Sequence, residues 1–202
     1  MSHKCFISFK KEDIYYKEQI LKKLGSERIT GKALDKWIDS ENIDYIMQVI
    51  REEYMKNTSV TIFLIGEHSS ENEGFDVNGD KNAFIKRELQ ATLYDGKGFN
   101  RSGLLGVVLP SMESKIYKGK FTCNDCGNQH KHVAINDDTV IKEFSANYYL
   151  KQDGGCCYTE NGRFCVLVRY SAFMNNPDRY IEEAFNKLNQ PIYNEVHWRN
   201  LR

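Results

Sequence analysis

The chain has 202 residues, 41% of them hydrophobic, and its 28 basic side chains are matched by 28 acidic ones. That supports one sizeable buried core and leaves no net field to draw nucleic acid or an anionic membrane surface. Six cysteines are too sparse for a disulfide-stapled secreted scaffold, no apolar run approaches the ~20 residues of a membrane span, and "MSHKCFISFKKED" carries no secretory signal, so the expected location is the cytoplasm.

In chain order, "KCFISF" (4–9) is β-branched and aromatic and reads as a first strand. Tyr15 to Leu24 has helical spacing. A short strand is expected around Lys32 to Trp37, then a helix from Ile43 to Met55 with Ile43, Ile46, Met47, Ile50 and Tyr54 on one stripe. "SVTIFLIG" (59–66) is a nearly continuous apolar run, the mark of a strand buried on both faces. Ala83 to Leu93 is the next helix, with Asn82 as its expected N-cap. "GLLGVVLP" (103–110) and "CVLVRY" (165–170) are two further buried strands, and Asp178 to Leu188 is the last helix. Strands alternating with helices predict an α/β fold: an open five-stranded parallel sheet of flavodoxin-like order 2-1-3-4-5, with helices on both faces.

Between the fourth and fifth strands, residues 111–163 have no clean period, several turn signals and four of the six cysteines. Such a length of irregular chain predicts an insertion with small structure of its own. Within it, Cys123 and Cys126 in "CNDC" have the spacing that lets two thiolates reach one tetrahedral zinc ion. Cys156 or Cys157, with His130 or His132, could complete a structural site. Adjacent cysteines make an awkward second pair, and free thiols are the alternative. Cys5 and Cys165 fall in strands and read as small buried hydrophobes.

Open α/β sheets bind ligands in the crevice beyond the carboxyl ends of their strands. The loops to consider are 10–13, 35–42, 67–81 and the one after Leu109. None carries a glycine-rich phosphate loop, which excludes a P-loop nucleotidase and a dinucleotide-type dehydrogenase, and "KKED" is too bulky and charged for a flavin-phosphate loop. One acid stands out. In "NAFIKRELQATL" (82–93), Ile85, Leu89 and Leu93 form the core row and Phe84 and Glu88 the row beside it, with no Lys or Arg three or four positions from Glu88. An acid at the edge of an apolar wall is either a half-exposed helix glutamate or a carboxylate with raised pKa available for chemistry.

Together, "CFISFKKED", the "SVTIFLIG" strand preceded by a helix ending "MKNT", and "FIKRE" resemble the TIR domain family, in the TIR-like branch of bacterial Thoeris antiphage systems. Ser8, Phe9 and Asp13 match the branch's first strand and following acid. Phe84 and Glu88 match the family's W-x-x-x-E motif, with Phe in place of Trp. The resemblance implies a single TIR-like domain over residues 1–202 with 111–163 inserted. It also implies an enzyme that consumes NAD, cleaving the nicotinamide–ribose bond and forming a cyclic or conjugated ADP-ribose signal. By that resemblance Glu88 is the catalytic carboxylate, and Phe9, Lys10, Asp13, Trp37 and Phe84 bind the substrate, Lys10 at the pyrophosphate. The partners implied are a separate effector protein that responds to the product, a phage-derived trigger and further copies of the chain.

Each residue also has a plainer reading. Phe9 can close the strand-end core, Lys10 and Lys11 can be a solvated pair, Asp13 can N-cap the following helix, and Trp37 can be core. At the level of the whole chain, the alternative is a catalytically silent adaptor or nucleotide-binding module.

Overall fold

In the computed structural model, which describes residues 3–70 and 83–198, four parallel strands form the central sheet: β1 (Cys5–Ser8), β2 (Val60–Ile65), β3 (Gly103–Val108) and, after a hairpin of β4 (Tyr117–Thr122) and β5 (Gln129–Val133), β6 (Val166–Arg169), in the order β1-β2-β3-β6. Ser8 lies opposite Phe63, Phe63 opposite Gly106, and Gly106 opposite Leu167. The three apolar runs at 4–9, 59–66 and 103–110 contain strands that are buried along their whole length, because helices cover both faces.

The period of two sorts their side chains between the faces. Ile7, Ile62, Leu64, Leu105 and Val107 pack with Ile20 and Leu24 of α1 (Ile14–Leu24), Phe173 of α6 (Tyr170–Asn175) and Ile181 of α7 (Pro177–Asn186). Phe63, Ile65, Leu104 and Val108 pack on the other side with Ile85, Leu89 and Leu93 of α3 (Ala83–Leu93). Phe6 joins that second face in a cluster with Met47 of α2 (Ile43–Val49) and with Ile50 and Tyr54, where the helix widens into a π turn over Ile50–Tyr54. The helix expected over 43–55 is therefore present, but its last turn is not α-helical. Asn82, the expected cap of α3, lies outside the described residues.

The insertion holds α4 (Glu113–Ile116), the antiparallel hairpin β4 (Tyr117–Thr122) and β5 (Gln129–Val133), and α5 (Lys142–Tyr148). Its second half does not stand apart: Val140, Ile141, Phe144 and Tyr148 belong to the same cluster as Phe63 and Leu104. Asn147 ties it in further. Its side-chain amide donates to the Glu143 and His197 carbonyls and its Oδ1 accepts from the His197 N–H, while its own carbonyl accepts from the N–H groups of Phe164 and Cys165 at the start of β6.

Among the described residues one expected strand is absent, and the sheet has four strands rather than five. Pairing beside β1 begins and stops at once: Ile29 bridges Cys5, and the Thr30 N–H donates to the Cys5 carbonyl at 2.7 Å. Gly31 then takes φ +75°, a left-handed conformation that an L side chain resists, and turns the chain away. Lys32 N–H goes to the Tyr54 carbonyl (3.1 Å) and Tyr54 Oη donates to Asp35 (3.3 Å), so residues 32–35 follow the end of the α2 segment instead of β1. A Cβ on Gly31 would lie 1.8 Å from the Tyr54 carbonyl oxygen. Gly31→Ala is accordingly expected to lower unfolding free energy by roughly 2 kcal/mol or more, read as a drop in the denaturation midpoint in urea.

Candidate functional site

The diversion of residues 31–42 creates the site. Ser8 ends β1 on the same face as Phe6, toward α2 and α3, since alternate residues of a strand share a face. Glu88 is on the matching side of α3, one turn after Phe84. Ser8 Oγ donates to Glu88 Oε2 at 2.7 Å, and the Leu34 backbone N–H donates to Glu88 Oε1 at 2.9 Å. The carboxyl group is only 3% exposed. Neither the half-exposed reading nor an ion pair accounts for it: among the described residues both its partners are neutral donors.

Burial pushes the Glu88 carboxyl up to about 7, and the Leu34 amide and Ser8 hydroxyl pull back against that rise. A carboxylate offers about four lone-pair positions, so the two donors leave capacity for a further hydroxyl.

Glu88 lines a cavity of about 280 Å³ together with Phe9, Lys10, Lys11, Glu12, Ala33, Leu34, Ala83, Phe84 and Ile85. Four of the residues singled out in the sequence, Phe9, Lys10, Phe84 and Glu88, are thus brought together beyond the carboxyl end of β1. This is where an open parallel sheet holds its ligand. A larger depression of about 1000 Å³, lined by Arg51, Lys56, Ser59, Asn100, Arg101 and Tyr193 among others, opens at the amino ends of β2 and β3 instead. It contains no carboxylate held as Glu88 is.

Trp37 and Asp13 stand beside this cavity rather than on its wall. Trp37 is 43% exposed, which rules out the core reading, and its ring sits 6.4 Å from the Phe84 ring with the Arg87 guanidinium 5.7 Å from its own centre. Asp13 occupies the N-cap position of α1, as expected, but its side chain makes no capping hydrogen bond. Its carboxyl is buried against the backbone of Gly66 at the end of β2, one oxygen lacking a hydrogen-bond partner. Burial, with Glu12 nearby, pushes it up to about 6. The loop expected at 67–81 is described only to Ser70.

Two contributors were not named as site residues from sequence: Ser8 as a donor, although its match to the family strand was visible, and the Leu34 amide, which no side-chain pattern could signal. In the insertion, the thiols of Cys123, Cys126 and Cys156 and a ring nitrogen of His130 all lie within 4.8 Å of one another. Cys157 turns aside toward the Gly154 carbonyl, and His132 is not in the group.

A family model described as Thoeris protein ThsB, TIR-like domain, matches residues 6–114. The chain belongs to this TIR-like family. The matched stretch runs from β1 into α4 and includes Ser8, Phe9, Lys10, Asp13, Trp37, Phe84 and Glu88, but none of the four clustered thiol and imidazole groups. Membership supports a role in Thoeris antiphage defence. No curated protein matches the chain. Among the described residues, no helix is long and apolar enough to cross a membrane.

The Glu88 geometry sets a sign for pH dependence. The native state keeps the Glu88 proton from about 4.5, where an unfolded glutamate loses it, to about 7. Over that window the native chain binds the extra proton, so stability falls as pH rises and levels off above about 7, a loss of up to roughly 3 kcal/mol. In Glu88→Gln the fall is expected to shrink to the part below about pH 6 that Asp13 contributes, which urea denaturation of both proteins across this range would measure. Ser8→Ala removes a donor to the charged form and is expected to raise the Glu88 pKa further, as followed by carboxyl-carbon NMR titration.

Proposed function

We propose that the chain is an NAD-consuming enzyme that breaks the nicotinamide–ribose bond, with Glu88 as its catalytic carboxylate. The observation that carries this reading is a buried, singly placed carboxyl group, held by Ser8 and the Leu34 amide, on the wall of a cavity that also bears Phe9 and Phe84. A cavity of about 280 Å³ is near the lower end of small-molecule sites, which run from roughly 300 to 1,000 Å³, and suits the nicotinamide-ribose end of NAD.

The chemistry asks little of the protein. The C1′–N bond breaks with its electron pair going to the pyridinium nitrogen, so nicotinamide leaves neutral and needs no general acid, unlike an ordinary glycoside with its two carboxylates. Glu88, ionised, accepts a hydrogen bond from a ribose hydroxyl and stabilises the positive charge developing at C1′, an interaction strengthened where water is excluded. Phe84 and Phe9 pack on the flat faces of the ring and sugar, Lys10 meets the pyrophosphate, and Asp13 and Trp37 flank the mouth. Attack on C1′ by water gives ADP-ribose, while attack by a nucleophile of the same or another molecule gives the cyclic or conjugated product. In the defence role, that product acts on a separate effector protein after a phage-derived trigger, with self-association of the chain as part of activation.

The test is nicotinamide release from NAD, with infected-cell lysate supplied as trigger, for wild type and Glu88→Gln. Wild type is expected to release nicotinamide and the variant to lose at least ~100-fold, the range seen when one key electrostatic group is removed. Because the working form is ionised, wild-type activity should rise with pH through about 7. Equal activity in the two proteins rejects Glu88 as catalyst, and an inert wild type under trigger favours an adaptor. Phe84→Trp should retain activity and Phe84→Ala should lose it mainly through KM, since the wall packs on substrate in both ground and transition states.

A further inference from the structure

We infer that the insertion carries a structural zinc ion held by Cys123, Cys126, His130 and Cys156. Two stretches of chain 26 residues apart in sequence converge here: the hairpin, from its turn into the start of β5, and the irregular segment before β6. His130 Nε2 is 3.1 Å from Cys126 Sγ and 3.4 Å from Cys156 Sγ, and all four ligand atoms fall within 4.8 Å. With Zn–S near 2.3 Å and Zn–N near 2.0 Å, a tetrahedron needs its vertices roughly 3.5–3.8 Å apart, so the four atoms are spaced to surround one ion with little movement.

The local backbone supports the set. The Gly127 N–H donates to the Cys123 carbonyl and the Cys123 N–H to the Asn128 carbonyl, both at 2.9 Å, and Gly127 takes φ +72°. That tight turn is what a C-x-x-C pair needs to aim both thiols the same way. No disulfide competes, since all six cysteines are free. Three thiolates and an imidazole in tetrahedral array select zinc over harder cations, and four protein ligands leave no open position, which makes the site structural rather than catalytic.

The fold shows why a cross-link is needed at this point. β4 and β5 form a two-stranded sheet of their own, largely exposed along both strands, with Phe121 47% exposed. An isolated pair of strands is at best marginally stable in water. The segment from Lys151 to Tyr158 has no regular structure to lean on it. An ion shared by Cys123, Cys126 and His130 of the hairpin with Cys156 of that segment joins the two, and binding releases the thiol protons to solvent. None of the four residues lines the Glu88 cavity, so the inference stands apart from the proposed activity.

The experiment is metal analysis of the full chain, purified without chelator and without a histidine tag. Inductively coupled plasma mass spectrometry and native mass spectrometry of wild type, Cys156→Ser and Cys157→Ser are compared. Wild type and Cys157→Ser are expected to hold one zinc per chain, and Cys156→Ser to retain zinc against a competing chelator roughly tenfold or more less well. Should Cys156→Ser fail to fold, wild type alone decides: mercurial titration of its thiols should release one zinc. Chelated wild type should also become open to limited proteolysis within residues 117–163. Substoichiometric zinc after reconstitution, iron in its place, a Cys126–Cys156 disulfide in the intact mass, or equal retention in Cys156→Ser and Cys157→Ser would each overturn the assignment.

Discussion

Two hydrogen bonds to one buried carboxyl group organise this protein. Ser8 at the end of β1 and the Leu34 amide in the diverted segment both donate to Glu88 of α3, so that a single side chain joins the sheet edge, an irregular loop and a helix. Hydrogen bonds to charged groups contribute about 1.5–3 kcal/mol each, and desolvation of the same carboxyl costs more than the two together return. That excess leaves Glu88 with a pKa of about 7, poised between forms at physiological pH. A surface glutamate would stabilise little and titrate uselessly far below neutrality. A group held this way has the electrostatics of a functional site.

The same constraint explains the missing strand. A backbone N–H in a strand beside β1 would be spent on the ladder, whereas Leu34 gives its N–H to Glu88, and the adjoining chain is held by Tyr54 and turned by Gly31. The protein gives up a fifth strand at the edge of the sheet and gains an amide donor aimed into a cavity. Ala33 and Leu34 then become cavity wall. On the same face of the sheet, beyond α3, the insertion adds to the core, because α5 sets Phe144 against Phe63 and Asn147 ties the C-terminal stretch at His197 to the residues just before β6.

Much of the framework was legible because it rests on local pattern. Continuous apolar runs such as 59–66 can be stable only when covered on both faces, and the spacing of Ile85, Leu89 and Leu93 admits only a helix. The strand expected at 32–37 failed for a reason no pattern contains: its fate depends on a carboxylate more than fifty positions away. Asp13 takes the N-cap position read from sequence, but its side chain is buried against Gly66 and makes no capping hydrogen bond. Trp37, read either as core or as a substrate-binding residue, proved exposed beside Phe84.

Residue chemistry therefore determined the α/β class, the strands, the main helices, the aromatic and acid of "FIKRE", and the C-x-x-C pair. Tertiary structure decided which partners those groups meet: that Glu88 is buried rather than solvated, that Leu34 supplies a backbone donor, and that Cys156 and His130, not Cys157 and His132, join Cys123 and Cys126. The division follows from the range of the forces. Periodicity and propensity act within a few residues, whereas desolvation, backbone hydrogen bonding and metal geometry depend on which distant groups the folded chain places within a few ångströms.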